Sequence, residues 1–92
     1  MNFEWDEEKR WVNLKKHGID FVDAAQIFDR PVVVSQDTRK DYGENRFIGY
    51  GYLGEILVAL AFTKRAPDTI RVISLRKANR RERRQYEEAI SD

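Results

Sequence analysis

The chain of 92 residues has no cysteine and a single histidine. The missing cysteines exclude disulfides, a thiolate metal site and a thiol nucleophile. They also argue against a small secreted domain, because such domains usually depend on disulfides for stability. A single histidine without any cysteine is a poor basis for a zinc site. We therefore predict a protein that binds no metal and no cofactor.

Long hydrophobic segments are missing as well. The longest apolar run, Ile56–Phe62, has seven residues, whereas a membrane-spanning helix needs about 20. The first six residues contain neither a basic segment nor an apolar one, so no signal peptide is visible. These absences predict a cytoplasmic protein without membrane association, and the length predicts one domain over residues 1–92.

The chain also lacks a net charge of one sign, because 17 basic against 16 acidic residues leave only +1. That sum conceals a segregation of charge. Residues 64–84, here called the basic segment, carry nine basic and two acidic side chains, and the acidic excess lies on both sides of it. Such asymmetry indicates a polyanionic partner better than the total charge does. The alternative is that the basic segment forms an ordinary solvated helix face.

Capping residues and hydrophobic spacing predict a helix near the start of the chain. Asp6 is a suitable N-cap, basic residues accumulate towards His17, and Gly18 is a suitable stop. Trp11 and Leu14 are three residues apart and are expected to share the buried face of this helix.

Two further helices are predicted. One begins after Asp20, ends at Pro31 and buries residues spaced along one helical face, namely Phe21, Ala24, Ala25 and Phe28. The other lies at the C-terminus, where Asn79 and Glu82 have the spacing of a capping box. Its apolar stripe consists of Tyr86, Ala89 and Ile90.

The middle of the chain has the composition of β-strands. Four segments are rich in β-branched, aromatic or alternating apolar residues: Val32–Val34, Arg46–Leu53, Ile56–Thr63 and Ile70–Arg76. The polar segment 36–45 is typical of a loop, and short connections elsewhere favour antiparallel neighbours. We predict an α+β fold with two N-terminal helices, an antiparallel sheet of four or slightly more strands, and a C-terminal helix. A short extra strand is expected at residues 3–5.

The segment Gly49–Gly54 matches the pattern G-x-G-x-x-G. A dinucleotide-binding fingerprint must follow a strand and open a helix, but the residues that follow here are typical of a strand. We interpret these glycines as relieving crowding or permitting a turn.

Guanidinium groups and a helix N-terminus come together where the last strand meets the C-terminal helix. Arg76 and Lys77 end the strand, and Arg80 and Arg81 begin the helix. Guanidinium groups bind phosphate bidentately, and the unpaired N–H groups of a helix start favour anions. This junction therefore predicts a site for a phosphodiester.

Cleavage of RNA by its own 2′-OH needs no metal, only a base, an acid and positive charge for the developing phosphorane. Arg76 and Arg80 are the strongest candidates for stabilising that charge, and Lys64 or Arg65 adds to it if the sheet brings them near. The candidates for proton transfer are Glu82, His17 and Tyr86. The candidates for binding RNA are Lys77, Arg81 and Arg84.

Several sequence blocks, in one order along nearly the whole chain, resemble the BrnT family of toxins. They are FEWD (3–6), NLKKHG (13–18) with Phe21 and Ala24–Ala25, FDRP (28–31), GENR (43–46), VISLRKA (72–78), RER (81–83) and YE (86–87). The resemblance implies a RelE-like fold and a ribonuclease toxin of a type II toxin–antitoxin module that arrests growth. Position by position, it places the basic active surface on Lys64 or Arg65, then on Arg76 and Arg80.

The resemblance also implies partners. It implies a BrnA-like antitoxin, a ribbon-helix-helix protein that neutralises the toxin and forms with it a complex that represses the operon. Promoter DNA is then contacted only through the antitoxin, and two toxin with two antitoxin chains are a candidate heterotetramer.

Other interpretations of the same residues stay open. The basic segment could bind RNA or DNA without catalysis, or could serve only to receive an acidic segment of an antitoxin. His17 at a helix C-terminus and Tyr86 on an apolar stripe also suit purely structural roles.

Overall fold

The computed structural model describes residues 1–91, which contain five strands, three α-helices and a 3-10 turn. In chain order the elements are β1 (Asn2–Glu4), α1 (Glu7–His17), the 3-10 turn (Phe21–Asp23), α2 (Ala24–Ile27), β2 (Val33–Asp37), β3 (Arg46–Leu53), β4 (Ile56–Ala66), β5 (Thr69–Lys77) and α3 (Arg80–Ile90). The predicted α+β class is confirmed. None of the helices in the described residues is long and apolar enough to cross a membrane.

The strands form one mixed sheet in the order β1-β5-β4-β3-β2. Strands β2 to β5 pair antiparallel, as the short connections predicted, but β1 pairs parallel to β5. The prediction of a wholly antiparallel sheet is therefore wrong at this edge, and the strand count is five. Parallel neighbours need a long connection, and here residues 5–68 separate the two strands.

Local signals set both ends of α1 and the start of α3. The Asp6 side chain accepts hydrogen bonds from N–H groups of the first turn, and Gly18, at φ 73°, donates its N–H to the carbonyl of Leu14. At α3, Asn79 and Glu82 form the predicted reciprocal capping box.

The second predicted helix is shorter than expected. Asp20 caps a 3-10 turn, and α2 contains only four residues. The chain tightens at its end because the N–H of Phe28 donates to the carbonyl of Ala25, three residues back. Phe21 is fully buried as predicted, whereas Ala25 is exposed and Ile27 lies in the core.

The sheet buries one face fully and the other in part. On the first face, the 3-10 turn and α2 cover a core that includes Leu60 and Phe62 of β4. On the second face, Tyr86 of α3 packs in a smaller cluster with Leu57 and Ala78. The apolar run of β4 is therefore in the central strand, as its composition predicted. It is covered on the first face, but on the second face α3 packs only near Leu57, so the prediction of cover on both faces is met in part.

Helix α1 contacts the sheet through a polar residue rather than through Trp11, which is 56% exposed. The buried residue is Asn13, whose Nδ2 donates to the carbonyl of Leu75 (2.8 Å) and whose Oδ1 accepts from the N–H of Leu75 (3.1 Å). In the described residues β1 ends opposite Arg71, so this stretch of the β5 edge has no strand neighbour. The Asn13 side chain thus pairs the backbone groups that a further strand would otherwise pair.

The stripe predicted for α3 is also only partly buried. Tyr86 is buried, but Ala89 is exposed and Ile90 is 48% exposed. The reason is that α3 packs on the sheet mainly near its N-terminal half and leaves its last turn in solvent.

The glycines of the segment 49–54 serve packing and a turn, as predicted. A Cβ atom on Gly51 would lie 2.7 Å from Cγ2 of Ile27, so α2 can approach β3 only at a glycine. Gly54 has φ 63° in the turn between β3 and β4. The G-x-G-x-x-G pattern therefore belongs to a hairpin.

Candidate functional site

Helix α3 covers only one end of its sheet face, and the remainder of that face is concave. Two adjoining depressions of about 410 and 110 Å³ share Arg39, Ile48 and Arg76. We call this surface the sheet-face hollow, and its lining residues are Ser35, Arg39, Ile48, Tyr50, Ala59, Ala61, Ser74, Arg76, Asn79, Arg81, Glu82 and Gln85.

Short side chains of the two central strands make the floor of the sheet-face hollow. Ala59 pairs with Arg76 and Ala61 pairs with Ser74 in the register of β4 and β5. Because side chains of paired residues lie on the same face of a sheet, these four residues point to the α3 side. Three of them are small, which leaves open space above the sheet beside the guanidinium of Arg76.

An ion pair between Arg76 and Glu82 forms the rim next to α3. Nη1 of Arg76 donates to Oε1 of Glu82 (2.8 Å), and Nη2 donates to Oε2 (2.7 Å). The Arg76 side chain is 35% exposed and the Glu82 side chain 11%. Oε1 also accepts from the N–H of Asn79 (2.9 Å). Glu82 therefore serves both in the capping box of α3 and as the carboxylate that holds Arg76.

Each member of this pair stabilises the charged form of the other. The hydrogen bonds from Arg76 hold the pKa of Glu82 below its ordinary value, against the opposing effect of burial. The same hydrogen bonds raise the pKa of Arg76. A fixed guanidinium is therefore present at the hollow without any rearrangement of the protein.

A tyrosine hydroxyl completes this rim. Burial raises the pKa of Tyr50, and the negative charge of Glu82 raises it further. The phenol therefore stays protonated at neutral pH and can donate a hydrogen bond. Sequence reasoning did not single out Tyr50, which reaches this rim because β3 pairs with β4 in a register that sets it beside Ala59.

A second arginine lies at the hollow and was also missed. Arg39 follows β2, and its Nε and Nη2 donate to the two oxygens of Asp37 (2.9 and 3.0 Å). The Asp37 side chain is 2% exposed, whereas that of Arg39 is 73% exposed. The composition of residues 36–45 predicted a polar loop, and nothing in it marked Asp37 and Arg39 as a pair. In the structure β2 extends to Asp37, which places its side chain in the sheet.

Lys64 and Arg65 lie at the far end of β4, outside the sheet-face hollow. Nζ of Lys64 is 5.9 Å from the ring centroid of Phe47, and Nε of Arg65 is 3.9 Å from a carboxylate oxygen of Glu4. Both line a separate depression beside Asn45. The structure therefore does not bring either of them to Arg76.

His17 and Tyr86 do not line the hollow, although the groove that His17 lines shares Ser74 with it. His17 is exposed at the end of α1 and lines a groove between α1 and β5. Tyr86 is buried, its hydroxyl donates to the carbonyl of Pro31 (2.9 Å), and its ring meets that of Tyr52 edge to face. These are the structural positions that the sequence left open for both residues.

Of the remaining basic residues at the junction, one lines the sheet-face hollow and the others do not. Arg81 lines the sheet-face hollow beside Glu82, whereas Arg80, the first residue of α3, is exposed but does not line it. Lys77 and Arg84 are likewise exposed and outside the hollow. Of the residues predicted from sequence, the structure thus brings together Arg76, Arg81 and Glu82.

The chemistry of the hollow is that of an anion site. Its charged groups include three arginines, one of them held bidentately by Glu82, with the phenol of Tyr50 nearby. In residues 1–91 no three histidine, aspartate or glutamate side chains are grouped so as to hold a metal ion. Such a surface can bind a phosphodiester and stabilise charge that develops on its oxygens.

Comparisons with known proteins agree with this chemistry. A family model described as "Ribonuclease toxin, BrnT, of type II toxin-antitoxin system" matches residues 5–82. The crystal structure of the ribonuclease toxin BrnT from Brucella abortus is similar, with a TM-score of 0.65 and 32% sequence identity over 87% of this chain and 99% of that one. No curated protein sequence matches the chain.

Proposed function

Since the chain belongs to the BrnT family of ribonuclease toxins of type II toxin–antitoxin systems, we propose that it is a metal-independent endoribonuclease that cleaves RNA at the sheet-face hollow. The observation that carries the proposal is the bidentate Arg76–Glu82 pair at the rim, with Tyr50 beside it. It supplies positive charge, a carboxylate and a protonated phenol within one open site.

The proposed reaction is attack by a ribose 2′-OH on the adjacent phosphorus. The O2′–P bond forms and the P–O5′ bond breaks, which leaves a 2′,3′-cyclic phosphate and a 5′-hydroxyl. Negative charge builds up on the non-bridging oxygens, where Arg76 and Arg81 stabilise it. One proton leaves the 2′-OH and one is delivered to the departing 5′ oxygen, so no metal or other co-reactant is required.

We assign the proton transfers to Glu82 and Tyr50. In the free protein Arg76 depresses the pKa of Glu82, and a carboxylate so held is a weak base. A phosphate bound at the accessible part of the Arg76 guanidinium draws on the same positive charge, which weakens the hold of Arg76 on the carboxylate and lets Glu82 accept the 2′-OH proton. Tyr50, whose pKa is raised, keeps its proton at neutral pH and donates it to the 5′ oxygen.

The type II family implies an antitoxin partner. We propose a BrnA-like ribbon-helix-helix antitoxin that neutralises this chain and represses the shared operon as a complex, two chains of each being the candidate stoichiometry. The charge of the hollow supports an acidic antitoxin segment that covers it.

The test is incubation of the purified protein with RNA in EDTA. Cleavage is expected, with 2′,3′-cyclic phosphate ends, and Arg76→Ala is expected to abolish it, while Lys15→Ala, which removes one exposed charge from α1, leaves it unchanged. Free 5′-phosphate ends would contradict attack by the 2′-OH. RNA that stays intact at every dose, with binding retained, would leave a non-catalytic binding domain as the function.

Expression in bacteria without an antitoxin tests the biological role. Growth arrest is expected for the wild-type chain and normal growth for Arg76→Ala. Unimpaired growth in the presence of soluble wild-type protein would count against toxicity.

A further inference from the structure

The loop after β2 presents a guanidinium to the sheet-face hollow from the side opposite Arg76. Arg39 lines both depressions, and so does Arg76. Both arginines line the same hollow but come from different strands: Arg39 follows β2, and Arg76 lies on β5. Strands β3 and β4 lie between those two strands. The open floor of Ala59 and Ala61 therefore lies between two positive groups.

Arg39 is held in place by a buried carboxylate. Asp37 accepts from Nε and Nη2 of Arg39, from the backbone N–H of Arg39 (3.2 Å) and from the hydroxyl of Tyr42 (3.2 Å). The carboxylate is on β2, in register with Arg46 of β3, so its position is set by the sheet. A long side chain that is 73% exposed would otherwise sample many rotamers, at a cost in entropy on binding.

The Arg39–Asp37 pair has the same bidentate geometry as the Arg76–Glu82 pair on the α3 side of the hollow. Arg76 is also held by both oxygens of a mostly buried carboxylate, Glu82, while part of its guanidinium stays accessible. Two arginines fixed in the same way on facing sides of one hollow are suited to grip a phosphodiester backbone from both sides.

We propose that Arg39 contacts the RNA backbone opposite Arg76 and that Asp37 is its positioning residue. The proposal rests on the sheet-face hollow being the RNA site and adds to it a second cation and the carboxylate that holds this cation. The loop between β2 and β3 thereby becomes part of the substrate site.

The first experiment measures RNA binding without cleavage. The probe is a short unstructured oligonucleotide with 2′-O-methyl riboses, which cannot attack its own phosphates. Arg39→Ala is expected to weaken binding about tenfold, and to lower the slope of log Kd against log salt by about 0.7, the value for one phosphate contact on a single strand. Lys15→Ala removes the same charge from α1 and is the matched control. Equal affinity and equal slope in the two variants would overturn the role of Arg39.

The second experiment tests Asp37 through a double-mutant cycle. Asp37→Asn is expected to weaken RNA binding in the wild-type background and to have no further effect in the Arg39→Ala background, because its effect passes through Arg39. A merely structural role would weaken binding equally in both backgrounds and would overturn the positioning role. If Asp37→Asn does not fold, Arg39→Lys replaces it, because lysine keeps the positive charge but cannot make the bidentate contact with Asp37. Its affinity for RNA is expected to lie between those of the wild type and Arg39→Ala.

These measurements are separable from the proposed activity. If the wild-type protein cleaves RNA but Arg39→Ala behaves as Lys15→Ala does, the proposal fails and the function stands. If the wild-type protein does not cleave RNA, the binding measurements still decide whether Arg39 and Asp37 act at the hollow.

Discussion

Glu82 has two roles that a pair of substitutions can separate. It accepts the N–H of Asn79 as part of the capping box of α3, and it holds the guanidinium of Arg76. Glu82→Gln keeps an oxygen for the N–H, since glutamine serves at this position of a capping box, but removes the charge. Glu82→Ala removes both.

The cost of Glu82→Gln follows from the burial of the pair. With side-chain exposures of 35% for Arg76 and 11% for Glu82, the pair lies between an exposed pair worth about 0–1 kcal/mol and a buried one whose disruption costs about 3–5 kcal/mol. We expect a loss of about 1–2 kcal/mol in the free energy of unfolding. Glu82→Ala should cost about 1 kcal/mol more, for the hydrogen bond to the N–H of Asn79.

Urea denaturation measures these losses in the free energy of unfolding, and an RNA cleavage assay measures the loss in catalytic rate. If Glu82 is the base, Glu82→Gln should lower the cleavage rate by a factor of about 10²–10⁴ while the protein stays folded. The folded-state pKa of Glu82 lies below its ordinary 4.5, so the stability due to its charge is complete above that pH. It is lost as the pH falls through the folded-state pKa. A Glu82→Gln variant that is less stable but cleaves RNA at the wild-type rate would refute the proton-transfer role.

Three further predictions concern side-chain hydrogen bonds that hold the fold. Asn13→Leu should destabilise the protein by about 2–4 kcal/mol, because it leaves both backbone groups of Leu75 unpaired; a loss below 1 kcal/mol in urea would show that the edge is paired in another way. Tyr86→Phe should cost about 1 kcal/mol for the hydrogen bond to Pro31 and leave the cleavage rate unchanged, and a rate reduced at equal folding would instead put this hydroxyl in the mechanism. Arg39 holds the pKa of Asp37 at about 2, below its ordinary 3.8, so the stability difference between wild type and Asp37→Asn should be constant above about pH 5 and should shrink as the pH falls towards 2. A difference that grows on acidification in thermal denaturation would contradict that direction.

The helix ends and most strands were predictable because their signals are local. Asp6 and Gly18 bound α1, and Asn79 with Glu82 begins α3, since these contacts involve residues within one turn. The direction of β1 was not predictable, because residues 5–68 separate it from its partner β5.

The candidate site was predictable in part for the same reason. Arg76 and Glu82 are six residues apart, on either side of one strand–helix junction, and both were named. Tyr50 and Arg39 reach the hollow only through the pairing of strands that are distant in sequence, so no spacing along the chain indicated them. Conversely, Lys64 belongs to the basic segment together with Arg76, but it lies at the far end of β4. The charge pattern therefore grouped two residues that the sheet holds apart.

By itself the sequence determined the α+β class, both ends of α1, the start of α3, the antiparallel central strands and the basic junction between β5 and α3. Each of these follows from capping, hydrophobic periodicity or charge within a few residues. The tertiary structure alone decided that α3 leaves part of its sheet face open, that Asn13 closes the β5 edge, and that Arg39 lies opposite Arg76. These features depend on which distant segments lie side by side, and the free energy that selects them comes from burial and from pairing of backbone groups across the whole fold.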